Sequence, residues 1–128
     1  MDSETLLRRD FRRILLIKLS ALGDVIHTIP VLNQLRRRYP DAEIHWLTKP
    51  AMAELIGHHP ALDRVILFHD EEWRRPWRTG AKALRTLWTL VRALRGGRYD
   101  LVIDLHGQIR SAACTLLTGA PGRIGFDR

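Results

Sequence analysis

Ile14-Leu15-Leu16-Ile17-Lys18-Leu19-Ser20-Ala21-Leu22-Gly23-Asp24-Val25-Ile26-His27-Thr28-Ile29-Pro30 decides how this chain folds. Its opening run, interrupted only by Lys18, is too short for a helix and too uniformly apolar for a strand with one wet face. Ile14 to Leu19 therefore predicts a strand buried on both sides. A Ser-Ala-Leu-Gly passage follows, and then Val25, Ile29, Leu32 and Leu35 recur at helical spacing. Pro30 is expected in the first turns of that helix or at a kink. Arg36-Arg37-Arg38 sets cations at the negative end of the helix dipole, and Tyr39-Pro40-Asp41 ends the element. Strand, turn and amphipathic helix make the first half of a βαβ unit.

The unit repeats along the chain. Glu43 to Thr48 reads as a second strand, Pro50 to Gly57 as a short helix with proline at its start and glycine at its end, and Arg64 to Phe68 as a third strand. A loop from His69 to Pro76 follows. From Arg78 to Arg95 the spacing predicts one helix, with Leu84, Leu87, Trp88, Val91 and Leu94 facing inward and Arg78, Lys82, Arg85 and Arg92 facing out. Gly96-Gly97 ends it. Tyr99 to Leu105 reads as strand four, Gln108 to Leu117 as a helix, Gly119-Ala120-Pro121-Gly122 as a turn, and Arg123 to Phe126 as a fifth strand. The expected fold is α/β: a Rossmann-like parallel sheet of order 3-2-1-4-5 with helices on both faces.

At 128 residues and 45% hydrophobic content, one domain with a real core is expected, without disordered tracts or repeats. Residues 1–12 read as an extension and residues 13–128 as the domain. The ending at Asp127-Arg128 is neither a cap nor a tail, which leads us to expect that a larger protein continues beyond it. A lone Cys114 excludes an intrachain disulfide and a zinc knuckle. Acidic residues among the first arginines argue against a secretory signal, and the apolar runs are strand-sized, so a cytoplasmic location is expected. The net charge is +7, and residues 73–99 hold eight basic residues and no acid. Arg74, Arg75, Arg78, Lys82 and Arg85, beside Trp73 and Trp77, are therefore candidates for contact with an anionic partner, be it a phosphorylated substrate, an acidic lipid surface or nucleic acid. A solvated helix face with the tryptophans packed inward is the alternative.

Ligands of open α/β sheets bind at the carboxyl ends of strands, where strand order reverses. Here that is between strands one and four, so Lys18 to Asp24 should meet Asp104 to Ser111. Neither the dinucleotide nor the P-loop glycine pattern is present. Asp24 suits a helix N-cap, and it equally suits a general base for an incoming hydroxyl. His27, three residues on, either orients Asp24, touches substrate or simply packs. Asp104, Arg110 and Ser111 either bind phosphate or cap the next helix.

The run from Ile14 to Pro30 resembles the amino-terminal signature of the ADP-heptose:lipopolysaccharide heptosyltransferases, with motifs closest to the heptosyltransferase I type. Tyr99 to Asp104 with Gly107 and Arg110-Ser111 is similar to their second motif, and Gly122 to Phe126 to a third. The resemblance covers the chain from Arg13 onward. It implies the acceptor-side half of an inverting, metal-independent GT-B glycosyltransferase that moves heptose from ADP-heptose to a Kdo-bearing lipid A core. It also implies no cofactor, a nucleotide-sugar site on a domain beyond this chain, and work on the inner face of the inner membrane. Asp24 matches the catalytic carboxylate. Lys18, Ser20, Gly23, His27, Asp104, His106, Gly107, Arg110 and Ser111 are the candidate substrate contacts, although His106 stands where glutamine is common. The fragment alone should not turn over. The competing class is a flavodoxin-like, non-catalytic module using its basic face for nucleic acid, which would show steep salt dependence. A scaffold domain that pairs with a separate chain is a third reading.

Overall fold

Alternate residues of β1 (Arg13–Ile17) feed two separate cores: Ile14 and Leu16 enter one, Leu15 and Ile17 the other. Successive strand side chains point to opposite faces, so an unbroken apolar run requires a sheet covered on both sides. All four of these side chains are fully buried, a burial that contributes about 1.5–3 kcal/mol each. The computed structural model describes residues 10–125. Around β1 lie β2 (Glu43–Thr48), β3 (Arg64–Leu67), β4 (Leu101–Asp104) and β5 (Gly122–Gly125). They form one sheet of order β3-β2-β1-β4-β5, and every pairing is parallel. The expected order is found, and both faces of the sheet are covered as expected. Phe126, placed by the sequence in strand five, lies outside the described residues.

Helices α1 (Leu22–Arg38) and α2 (Pro50–Ile56) cover one face through Val25, Leu32 and Ile56. On the other face lie α3 (Asp70–Arg74), α4 (Pro76–Thr79), α5 (Ala81–Gly96) and α6 (Ile109–Thr118). Pro30 stands well inside α1. Phe11 is also buried, with its ring edge-on to Tyr39 at 5.6 Å, and Asp100 accepts the backbone N–H groups of Arg12 and Arg13. No helix among the described residues is long and apolar enough to cross a membrane.

Three expectations for residues 69–95 are corrected. The loop after β3 contains α3, and the single helix from Arg78 is divided at Gly80, whose φ of 53° lies in the left-handed region that favours glycine. The α5 helix is also rotated from its expected setting. Ala83, Leu90 and Leu94 are buried, whereas Leu84, Leu87 and Trp88 are exposed. Small Ala83 and partly buried Ala93 let the helix sit close to the sheet. Thr86 turns inward to accept a hydrogen bond from Trp73 Nε1 at 2.9 Å.

A buried polar pair spans the sheet away from the strand ends that carry the loops. His45 Nδ1 is 2.6 Å from the Tyr99 hydroxyl, and its Nε2 is 3.2 Å from Glu43 Oε2. A neutral ring satisfies both, donating to Glu43 and accepting from Tyr99. Burial lowers the His45 pKa, against the pull of Glu43, and pushes Tyr99 up to about 12. Below the ordinary histidine value of 6.5 the unfolded chain binds the proton more readily, so stability should fall as pH drops through that value. Above 10.0 the unfolded tyrosine ionises first, so stability should fall again toward pH 12, by about 2 kcal/mol. Denaturant midpoints across pH should show this plateau with two falling arms. His45→Gln should flatten only part of the acid arm, since His106 is also lowered by burial and the lowered carboxyls of Asp63 and Asp70 add their own loss at lower pH.

Candidate active site

The carboxyl ends of β1 and β4 are adjacent, with Ile17 paired to Asp104 at the last register position. Their loops therefore meet as the strand order predicts. The link is direct: Lys18 Nζ donates to the Leu105 carbonyl at 3.1 Å. The end of β2 clamps the first loop from the other side. Trp46 Nε1 donates to the Lys18 carbonyl at 3.1 Å, and Thr48 Oγ1 and the Lys49 N–H both reach the Leu19 carbonyl. Ser20 is half-buried in this loop, and space is open where a side chain on Gly23 would sit.

The expectation that Asp24 caps α1 is corrected. The N-cap is Ala21, in extended conformation, and no side chain caps the helix. Asp24 is the third helical residue. Its backbone carbonyl accepts from Thr28, but its carboxylate is exposed, with no hydrogen bond or ion pair among the described residues. The first N–H groups of an α-helix have no acceptors of their own, so this uncapped end offers donors beside a carboxylate. His27 is exposed on the same side of the helix, without a hydrogen bond to Asp24.

The second loop is built around Asp104, which is buried. Its Oδ1 accepts the N–H groups of His106 at 3.0 Å and Gly107 at 3.1 Å. Gly107 has φ of 67°, a conformation that an L side chain would strain. His106 is buried too. Its Nε2 meets Gln108 Oε1 at 3.0 Å while its Nδ1 lacks a partner, and burial lowers its pKa against that Gln108 bond. Ser111 is fully buried. Its hydroxyl accepts from the Gln108 N–H and donates to the Gln108 carbonyl, which assigns it to the start of α6. Of the second-loop candidates, Arg110 remains half-exposed. Its Nη2 donates to Gln108 Oε1 at 3.1 Å and its Nη1 to Asp70 Oδ1 at 2.5 Å.

Asp70 was not among the residues that the sequence singled out. It follows β3 at the same edge of the sheet, and its side chain is only 7% exposed. Its Oδ2 faces Lys49 Nζ and Arg74 Nε, each at 3.3 Å. Burial alone would raise its pKa, but the hydrogen bonds and charges of Arg110 and Lys49 outweigh that and hold the carboxyl below its ordinary value. One carboxylate thus joins cations from β2's end, α3 and α6. Its signal in the sequence was position alone, an acid directly after a strand at the ligand-binding edge. A crevice of about 330 Å3 opens beside it, lined by Lys49, Phe68, His69 and Glu71 among others.

The basic cluster expected around residues 74–85 is partly neutralised in space. Arg74 pairs with Asp70, and Lys82 Nζ lies 3.4 Å from Glu72 Oε1. Arg75 and Arg78 line a groove of about 350 Å3 with Glu71, Glu72 and Arg74, while Arg85 is exposed farther along α5. Trp73 packs edge-on to Phe68, whereas Trp77 stands in solvent. Among the described residues no cluster of His, Cys, Asp and Glu is arranged to hold a metal ion.

The chain is similar to known proteins along most of its length. The model of glycosyltransferase family 9 (heptosyltransferase) matches residues 87–128. Lipopolysaccharide heptosyltransferase 1 of Pseudomonas aeruginosa is 40% identical over 119 residues, 91% of this chain and 32% of that protein. The Escherichia coli K12 protein of the same name is 35% identical over 90% of this chain and 36% of its own length. The solved E. coli heptosyltransferase WaaC with ADP-2-deoxy-2-fluoro heptose superposes with a TM-score of 0.77 and 34% identity. It covers 90% of this chain and 36% of that one. The chain spans about a third of the length of the curated relatives it matches.

Proposed function

From a chain that is a relative of the lipopolysaccharide heptosyltransferases over nine-tenths of its length, we infer the acceptor-side domain of an inverting GT-B glycosyltransferase. It moves heptose from ADP-heptose to a Kdo-bearing lipid A core. The observation that carries the reading is the Asp24 carboxylate, exposed and unpaired at the start of α1, on the side of the sheet where the loops after β1 and β4 meet. An acceptor hydroxyl entering there gives its proton to Asp24 as its oxygen attacks the anomeric carbon. The bond from that carbon to the ADP oxygen breaks, the configuration inverts, and ADP departs on a second domain that follows residues 13–128. Lys18, Gly23, His27 and Arg110 border the entry and are assigned to acceptor sugar and phosphate. The buried Asp104, His106 and Ser111 shape the loop that presents Arg110. No metal or cofactor takes part.

Such an enzyme works in the cytoplasm, peripherally on the inner face of the inner membrane where its glycolipid acceptor lies. The test is an assay of the complete coding sequence that contains this chain, with ADP-heptose and a Kdo–lipid A acceptor. A glycolipid heavier by one heptose is expected. Absence of transfer, with the acceptor shown to be accessible, would overturn the assignment.

A further inference from the structure

The rotation of α5 leaves an apolar face in solvent. Leu84 is 71% exposed, Trp88 64% and Leu87 43%, and Trp77 on neighbouring α4 is 77% exposed. At about 100° per residue, Leu84, Trp88 and Arg95 project within about 40° of one another. Arg85 and Arg92 border them on one flank, and Leu87 and Val91 on the other. Large apolar side chains grouped on one surface mark an interaction site rather than ordinary exposure.

The charges say what kind of partner fits. Arg74 and Lys82 are paired with Asp70 and Glu72, but Arg85, Arg92 and Arg95 have no ion pair among the described residues. A protein partner covering this face would need carboxylates for three arginines set among leucines and a tryptophan. An anionic bilayer offers a sheet of phosphates directly above an apolar interior, and tryptophan favours that boundary. The geometry points to the outer face of α5 as the surface on which the chain lies against an anionic membrane. Leu84 and Trp88 enter the headgroup boundary, and Arg85, Arg92 and Arg95 meet lipid phosphates. This rests on the proposed work on a membrane glycolipid, and it names the surface involved.

The purified chain should co-sediment with vesicles containing phosphatidylglycerol, more weakly with phosphatidylcholine alone, and less as salt rises. Replacing Leu84 and Trp88 together by serine should lower partitioning by about tenfold or more. Replacing Arg85, Arg92 and Arg95 by glutamine should lower it on the order of 100-fold. Circular dichroism should show both variants folded, since all five positions are exposed. No binding to phosphatidylglycerol vesicles overturns the proposal, as does full binding by the serine variant. A lipid-free dimer abolished by the same serines also overturns it, by showing that a second copy covers the face. The vesicles hold neither sugar acceptor nor nucleotide, so this result and that of the transfer assay are read separately.

Discussion

Asp24→Asn in the complete enzyme is expected to lower kcat by about 10²–10⁴-fold, the range for loss of a positioned general base. That corresponds to roughly 3–5 kcal/mol of transition-state stabilisation. KM for both substrates should change little, because the amide keeps the size and polarity of the side chain while losing only its capacity to take the proton. Stability should move by no more than about 0.5 kcal/mol, since the carboxylate is exposed and makes no contact that folding depends on. The two readings of Asp24 in the sequence separate cleanly here. Asparagine caps as well as aspartate, so the capping reading is tested by Asp24→Ala, which would then cost about 1 kcal/mol of stability and leave the rate alone. Steady-state kinetics beside thermal melts distinguishes them, and a variant that turns over at the parent rate would remove Asp24 from the mechanism.

The parts legible in the sequence were those that one signal could settle. The apolar run from Ile14 to Leu19, broken only by Lys18, fixes β1 as central, because only a strand covered on both faces hides Leu15 and Leu16 together. Parallel order then brings the Lys18 and Asp104 loops together, whatever their side chains do. What stayed illegible depended on competition between equivalent choices. The α5 sequence supports two inward faces, one of bulky Leu84, Leu87 and Trp88, the other of Ala83, Leu90 and Leu94, and close packing chose the second. For Ser111 and Asp104, a loop that needs its own N–H groups satisfied turns the polar side chains inward before any ligand can use them. Asp70 was missed because two of its three partners, residues 49 and 110, lie far away in the chain, and Arg74 alone makes only an ordinary i,i+4 pair.

That carboxylate carries the second large expected effect. In Asp70→Ala, Arg110 and Lys49 lose the charge that compensates their partial desolvation. Their side chains are only 33% and 28% exposed, so water replaces the lost partner incompletely. The cost is about 2 kcal/mol at neutral pH, below that of breaking a fully buried pair because both cations reach solvent. For a chain of this size that is roughly 8 °C in melting temperature. The pH dependence identifies the cause. The folded-state pKa of Asp70 lies below its ordinary value of 3.8, so its contribution is complete above that value and is lost as pH falls through the folded one. The gap between parent and variant should therefore narrow in acid, and Asp70→Asn, which keeps the shape without the charge, should behave alike. In the complete enzyme, the freed Arg110 guanidinium should raise KM for the phosphorylated acceptor more than it lowers kcat, since positioning rather than proton transfer is disturbed. A variant as stable as the parent at pH 7, with the acceptor KM unchanged, would mean that solvent and Gln108 hold Arg110 in place and that Asp70 is a bystander.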